Sequence, residues 1–396
     1  MAAPQFARYT LGFAALISLF LITLSCVDSF VHSRVFDFNV FWDAARRAST
    51  ARPITAWTEG IFFHPPPFLL VVQLFALLPL AAGLTAWVIV TLLSLIGASR
   101  GHPGLSATAI LAFPPSVVNG IIGQTGFLIG ALYLAAARLF TSRPLLAGAM
   151  LGAMVIKPQM GLLVPFALIA GREWRAFAGA CGGLMLMCGL ATLAYGAESF
   201  PIWLAALDGP QSVLMEGGSG WQKMASVFAT IRALGGAQDF AMATHIAVAL
   251  LAIMAVIRTW AFNRDSSARF AVLACATSLA SPYFYVYDLV FLILPVAWCY
   301  HNSGKGWLVV VAAAALVPAS LLNWFPMSYP NPTPLVTILL LTMSWITSEA
   351  MMRAKISDQA PESKLTVKAD CSLKLPWVRP DEHLHQHDRQ IRRNYQ

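Results

Sequence analysis

Charged residues are scarce in this chain. Of its 396 residues only 11% are Asp, Glu, Lys or Arg, whereas 58% are hydrophobic, and the mean hydropathy is +0.67. Soluble globular domains carry about 25% charged residues. The composition therefore excludes a soluble fold for most of the chain, and no stretch is left that could form a large soluble domain.

The sequence also lacks the short motifs of several soluble enzyme classes. It has no Walker loop, no G-x-S-x-G and no H-E-x-x-H, so ATPase, esterase and zincin chemistry lack their residues. The six cysteines show no C-x-x-C spacing, which supports neither a zinc site nor a disulfide framework. His383, His385 and His387 alternate near the end, but nothing nearby completes a metal site. We expect neither a metal nor a cofactor.

Long apolar blocks are what the chain has instead. They follow one another from Thr10 to Met352 with short polar breaks, and about 11 to 13 spans of roughly 20 residues fit. No A-x-A-like cleavage site closes the first block, so we expect it to be a retained span. These blocks predict an all-α polytopic membrane protein with its transmembrane domain over 1–352. The polar segment 353–396 is then a cytoplasmic, disordered tail.

Lys and Arg mark one side of the membrane. The positive-inside rule places basic turns in the cytoplasm, which explains the net charge of +8 without a nucleic-acid partner. Counting outward from these turns puts a first loop, about 31–66, and a long loop, about 196–240, outside, with short helices in them. Residues 67–99 resemble two short spans, although loop parity requires one crossing. The basic turns contain Arg138, Arg143, Arg172, Arg175, Arg258, Arg264, Arg269 and Lys305.

Two carboxylates, Asp37 and Asp43, follow the first apolar block. Six residues apart on a helix they point in different directions, which favours one acting carboxylate over a pair. Asp37 is either a general base that takes a proton from an acceptor hydroxyl or the N-cap of an amphipathic helix. In the second case Phe38, Phe41 and Trp42 press that helix onto the bilayer surface. The local residues alone favour the cap.

A lysine interrupts the apolar stretch between two basic turns. Pro158 removes a backbone donor and disfavours helix at Lys157, so two half-helices meeting at Lys157 fit the segment best. Irregular backbone at membrane depth lines a cavity or is buried in protein. The ammonium then either binds the phosphate of a lipid-linked substrate or extends toward the interface.

Other polar residues stand in apolar surroundings and widen the candidate site. His64, before three prolines, can bind a phosphate oxygen or a hydroxyl, or it can be an ordinary interfacial histidine. Gln124 can serve the site or join two helices by a hydrogen bond. Gln159 follows the Lys157 break and belongs to the same group.

The later external segments add an acid and a base. Asp288 follows three tyrosines that an aromatic belt explains, but the belt does not explain the acid. Arg232 lies in the long loop with Trp221 and Lys223, near a glycine-rich run. This combination indicates a lid over a groove or an ordinary interfacial tryptophan with flanking charges.

Several short motifs occur in a fixed order. They are Asp37-Phe38, His64-Pro65-Pro66-Pro67, Leu78-Pro79-Leu80, Gly123-Gln124, Lys157-Pro158-Gln159, Arg172-Glu173-Trp174-Arg175 and Ser281-Pro282. The ordered set resembles glycosyltransferase family 87, membrane mannosyltransferases that use polyprenyl-phosphate donors and have the C-type glycosyltransferase fold. The chain departs from the family pattern at His64, and again at Phe284 and Tyr285.

The resemblance implies an inverting hexosyltransferase with Asp37 as the general base. It implies a polyprenyl-phosphate sugar donor, mannose by default, and a lipid or glycan acceptor. The membrane would be a bacterial-type inner membrane with the site facing the periplasm. Lys157, Gln124 and Arg232 are candidates for holding the donor phosphate. His64, Gln159 and Asp288 are further substrate-binding candidates.

Two other classes compete with the transferase. A transporter or flippase for a lipid or sugar uses the same broken helices and buried polar groups, but the chain shows no internal duplication and its polar groups lie toward one face. A scaffold without chemistry leaves Asp37 and Lys157 unexplained.

Overall fold

The structure is a computed structural model that describes residues 2–32, 37–49, 62–217, 220–321 and 330–359. Within these ranges the regular elements are helices, and strand-like pairing is confined to one isolated bridge between Met224 and Tyr285. Residues 1–354 form one compact unit, and a second unit begins at Lys355. Most of the predicted tail, with its three histidines, lies outside the described residues.

The chain up to the middle forms ten helices in the described ranges, joined by short turns. In chain order they are α1 (Ala2–His32), α2 (Asp37–Ser49), α3 (Pro66–Ala76), α4 (Leu80–Ser99), α5 (Ala107–Ala112), α6 (Pro114–Ile122), α7 (Gly126–Leu139), α8 (Pro144–Ala153), α9 (Val164–Ala170) and α10 (Trp174–Tyr195). Two 3-10 turns, Met154–Ile156 and Pro158–Met160, lie between α8 and α9.

The rest of the described chain begins with three short helices in the predicted long external loop. The helices are α11 (Ser199–Ala206), α12 (Asp208–Glu216), α13 (Val227–Ala233), α14 (Gln238–Phe262), α15 (Ser266–Ala280), α16 (Ile293–Asn302), α17 (Gly306–Ala314), α18 (Leu316–Leu321) and α19 (Thr333–Gln359). The 3-10 turns Trp221–Lys223 and Val286–Leu292 precede α13 and α16.

Five helices of the described chain are long and apolar enough to cross a membrane, judged by length and composition. They are Tyr9–His32 within α1, α4, α10, α14 and Thr333–Lys355 within α19. Six shorter apolar helices of 10–17 residues account for further blocks. The predicted class, an all-α polytopic membrane protein, is confirmed.

Within residues 67–99 only α4 is long and apolar enough to cross a membrane by itself. α3 has 11 residues and is about 16 Å long, which is too short for a hydrocarbon core of about 30 Å. α4 has 20 residues and is long enough. The Tyr195 hydroxyl at the end of α10 donates to Gln73 of α3, so α3 lies beside the far end of α10. This arrangement agrees with the single crossing that loop parity requires.

α8 and α9 form a hairpin with Lys157 at its apex. α8 runs parallel to α10, and glycines bring the two backbones so close that an added Cβ would overlap a carbonyl oxygen of the facing helix. Since α10 starts after the turn that ends α9, α9 must return to the end where α8 began. The facing pairs are Leu145–Gly179, Gly148–Ala176, Ala149–Gly183 and Gly152–Ala180. Small residues that allow close backbone approach are typical of packed membrane helices.

We call the end of the molecule where α7 ends and α10 begins the basic end. Arginine side chains join the helices at this end. Arg269 is buried, and its guanidinium donates to Glu173 Oε1 at 2.6 Å and to the Trp260 and Asn263 carbonyls at 2.6 Å each. Arg258 forms a two-pronged pair with Glu349 at 2.8 and 2.9 Å. These contacts join α10, α14, α15 and α19 at the end opposite the beginning of α7.

Candidate active site

The helix that begins with Asp37 packs against protein and not against lipid alone. Phe38 and Phe41 of α2 are buried. The Phe38 ring lies 6.1 Å from Trp87, and the Phe41 ring lies 5.0 Å from Phe68, measured between centroids. The expectation that these phenylalanines press α2 onto the bilayer surface is therefore wrong. Their packing fixes the start of α2 against α3 and α4.

The Asp37 carboxylate is bonded across the fold. Its Oδ2 accepts a hydrogen bond of 2.7 Å from Gln124 Nε2, and no backbone N–H of α2 bonds to it, so a local cap does not account for the residue. Burial raises the pKa of Asp37, while Gln124, Lys157 and Lys223 act in the opposite direction. Asp43 is separate, since it pairs with Arg47 on the same helix at 2.8 Å.

Gln124 is held by a tight turn between α6 and α7. Gly123 has φ +71°, a left-handed conformation that favours glycine. The Gly126 N–H donates to Asn119 Oδ1 at 2.6 Å, and an added Cβ on Gly126 would overlap the Tyr287 carbonyl oxygen. The turn is thereby pressed onto the 3-10 segment that contains Asp288. Reasoning from sequence missed Asn119, although the paired glycines around Gln124 signalled a constrained turn.

Lys157 is buried, with 6% of its surface exposed, at the hairpin apex. Its ammonium pairs with Asp288 and lies 3.4 Å from Thr125 Oγ1 and 5.3 Å from the centre of the Tyr287 ring. The two half-helices meet at Lys157 as predicted. Extension toward the interface is wrong, and the anion beside the ammonium is a carboxylate of the protein itself.

Asp288 now has an explanation that the sequence did not offer. One oxygen accepts from Lys157, and the other lies 3.4 Å from the Tyr285 backbone N–H. The carboxylate is 1% exposed. The residue therefore balances the charge of Lys157 and caps its own turn. Thr125 and Tyr287, which complete the environment of the ammonium, were not identified from the sequence.

His64 is surrounded by aromatic rings and lies near Lys157. Its ring centroid is 4.4 Å from that of Phe68 and 4.9 Å from that of Phe41. Burial, helped by the charge of Lys157, lowers the pKa of His64 well below its usual value, so the imidazole is neutral near pH 7. Its Nε2 is buried without a hydrogen-bond partner in the described chain. That nitrogen suits a hydroxyl better than a phosphate.

The long external loop is packed where the structure describes it. Trp221 donates to the Leu214 carbonyl at 2.7 Å, and the Arg232 guanidinium lies 4.5 Å from the centre of the Trp221 ring and donates to the Gly236 carbonyl at 2.9 Å. Arg232 is thus held by contacts within the loop. Its expected place in the phosphate site stays a prediction. Residues 218–219 of the glycine-rich run, where we expected a lid, lie outside the described ranges.

A short stretch of backbone pairing brings a different cation, Lys223, close to the site. Met224 bridges to Tyr285, and the Ala225 N–H donates to the Phe284 carbonyl at 2.7 Å. Lys223 stands just before this pairing, is exposed and is close enough to act on the charge of Asp37. No carboxylate in the described part of the chain pairs with it. Lys223 had been noticed only as part of the loop.

Asp37, Gln124, Lys157 and Asp288 are thus brought together, with His64 beside them. Gln159 follows in the 3-10 turn after Lys157 and is half-buried. The group contains the Asp37 carboxylate, one oxygen of which accepts a hydrogen bond, and the buried ion pair of Lys157 with Asp288. Lys223 adds an exposed cation. Such a set can remove a proton and stabilise a nearby phosphate.

A family model places this chain among known proteins. The model of glycosyltransferase family 87 matches residues 62–282, which is more than half of the chain. The chain belongs to glycosyltransferase family 87. It is a multi-pass membrane glycosyltransferase, and a sugar donor and an acceptor are its substrates. The family match covers Gln124 and Lys157 but not Asp37 or Asp288.

No curated protein and no solved structure matches the chain. The expected C-type glycosyltransferase fold therefore stays a prediction. The resemblance to family 87 that the ordered motifs indicated is confirmed at the level of the family.

The ion pair between Lys157 and Asp288 gives a testable stability effect. Asp288→Leu leaves a buried ammonium unpaired, and we expect a loss of about 3–5 kcal/mol in unfolding free energy. Lys157→Met together with Asp288→Leu should lose much less, because neither charge remains. Tryptophan fluorescence during denaturation in detergent measures both. Asp43→Leu, which removes an exposed pair with Arg47, is the control and should cost at most about 1 kcal/mol. Equal losses in the single and double variants would contradict the pairing.

Proposed function

We propose that this enzyme transfers a hexose, of the mannose type, from a polyprenyl-phosphate donor to a lipid or glycan acceptor. The reaction takes place on the extracytoplasmic face of a bacterial-type inner membrane. The observation that carries the proposal is the Asp37 carboxylate, which is fixed through one oxygen by Gln124 at 2.7 Å. Its other oxygen has no hydrogen-bond partner in the described chain and can receive a proton. The rival transporter class is set aside because the family is one of transferases.

The chemistry is an inverting displacement at the anomeric carbon of the donor sugar. The acceptor hydroxyl oxygen forms a bond to this carbon while the bond to the phosphate oxygen breaks. Asp37 takes the hydroxyl proton, and the polyprenyl phosphate leaves with the bonding electrons. Holding the base and the leaving group on opposite sides of the carbon supplies the alignment that such a reaction needs. Because a lipid phosphate is already an activated leaving group, the reaction requires no ATP.

The leaving phosphate needs positive charge, and the basic residues differ in their freedom to supply it. Lys157 is neutralised by Asp288, Arg232 is stacked on Trp221 and His64 is neutral. Lys223 is exposed and lacks a carboxylate partner in the described chain. We therefore assign the first phosphate contact to Lys223, with Lys157 as a second, largely neutralised cation. Gln159, in the 3-10 turn after Lys157, is a further candidate for binding substrate.

Transfer of radiolabelled mannose from polyprenyl-phosphate mannose to membrane-lipid acceptors tests the reaction. The purified parent protein in detergent should transfer the label, and Asp37→Asn should lose at least about 100-fold in rate, since general base catalysis contributes that much. Asp43→Asn, which changes the neighbouring carboxylate, should stay close to the parent. A fully active Asp37→Asn protein would remove Asp37 from the mechanism. A parent inactive with mannose and other hexose donors would overturn the proposal.

The pH dependence follows from the bond between Gln124 and Asp37. That bond favours the charged carboxylate and lowers its pKa, against burial, which raises it. Gln124→Met removes the bond, so the pKa of Asp37 should rise further. A base must be deprotonated to act, and the acid limb of kcat/KM should therefore move to higher pH. An unmoved limb with reduced activity at every pH would make Gln124 a substrate contact and not a partner of the base.

Lys223 can be separated from Asp37 by its kinetic effect. Lys223→Met should raise the KM for the donor at least about tenfold, because a charge that binds the donor phosphate is lost, and its fall in kcat should be much smaller than that of Asp37→Asn. Lys223→Arg, which keeps the charge, should restore most of the affinity. Lys305→Met is the matched control at the basic end. An unchanged donor KM in Lys223→Met would contradict the assignment while leaving the transferase proposal intact.

A further inference from the structure

A groove that takes no part in the candidate active site lies between α4 and α7 at the basic end. Its volume is about 520 Å³. Its walls are formed mainly by small and aliphatic residues of two apolar helices. It is lined by Ser94, Gly97, Ala98, Arg100, Leu128, Ala131, Leu132, Ala135 and Arg138.

Two arginines stand at the mouth of this groove. Arg100 and Arg138 are both exposed. Arg138 uses Nη1 to donate to the carbonyls of Gly97 at 3.1 Å and Arg100 at 3.4 Å, which leaves its other nitrogens available. No acidic residue lines the groove, and neither arginine pairs with a carboxylate in the described ranges. The mouth is therefore positively charged without compensation.

Gly97 leaves open space in the groove between the two arginines and the apolar residues. A Cβ added there would meet no atom within 4 Å, in contrast to the glycines that join α8 and α10. Space of this kind beside a membrane span accepts a hydrocarbon chain at little cost. A charged opening above an apolar trough is complementary to a phospholipid. The phosphate of the headgroup would lie at the opening and an acyl chain in the trough.

We propose that this groove binds one anionic phospholipid of the leaflet at the basic end. Arg100 and Arg138 hold the headgroup phosphate, and an acyl chain lies along Gly97 and Leu132. Basic pockets between membrane helices on the cytoplasmic side recognise anionic headgroups in this way. The prenyl tail of the donor is a poorer occupant, because its phosphate belongs beside Asp37, so that the two arginines would have no role.

Native mass spectrometry of the full chain, purified in detergent and titrated with phosphatidylglycerol or phosphatidylcholine, tests this assignment. The parent should retain one phosphatidylglycerol in preference to phosphatidylcholine. Arg100→Gln and Arg138→Gln should each weaken phosphatidylglycerol binding about fivefold. Gly97→Leu, which fills the trough, should abolish it. Arg143→Gln, an exposed arginine at the same end, and Gly182→Leu, a glycine whose Cβ also meets nothing within 4 Å, are the matched controls and should bind like the parent.

Three results would overturn the proposal. Equal retention of the two lipids would show that charge is not recognised. Loss in Gly97→Leu without any effect of the arginine variants would assign the trough to an uncharged chain such as the prenyl tail. An equal loss in Gly182→Leu would show general disturbance of the lipid surface. Unfolding temperatures without added lipid show whether each variant is folded, and Gly97→Ala, with its smaller side chain, provides a second, milder filling of the trough.

Discussion

The buried ion pair between Lys157 and Asp288 is the contact on which the rest of the site depends. It joins residues 131 positions apart in the chain, one at the apex of a hairpin and the other in a 3-10 turn. An ammonium at this depth without a partner carries a cost of several kcal/mol, so the hairpin and the turn are held together. Thr125 and Tyr287 then gather around the same ammonium, and the turn that holds Gln124 is fixed with them.

The ion pair also divides the electrostatic roles of the site. Because Lys157 and Asp288 neutralise each other, Asp37 and Lys223 are the charged residues that we propose act on the substrates. Asp37 is held by its hydrogen bond with Gln124. Lys223 belongs to the long loop and is brought to the site by the backbone pairing of Met224 with Tyr285. The proposed base and the proposed phosphate contact thus come from segments that are far apart in the chain.

Features of the fold and site were predictable from the sequence where neighbouring residues determine them, and not where they depend on contacts between distant residues. Lys157-Pro158 combined a helix-breaking residue with a charge in an apolar stretch, so the broken hairpin was predictable. The partner of Asp288 was not, because no local pattern connects residues so distant. Whether residues 67–99 crossed once or twice depended on where α3 ends, which apolar composition does not reveal. The stacking of Arg232 on Trp221 was not predictable either, because it is a tertiary contact.

The parallel packing of α8 and α10 sets the depth of the site. From Pro144 to Ile156 the rising arm of the hairpin is about 20 Å long, whereas α10, starting from the same end with 22 residues, extends about 33 Å. The apex therefore stops roughly 10 Å short of the end of its neighbour. Since the glycine contacts let neither helix slide, this recess is a permanent part of the fold. We therefore propose that the acceptor enters this recess through a slender terminus, because the side of a bulky folded chain would not reach the apex.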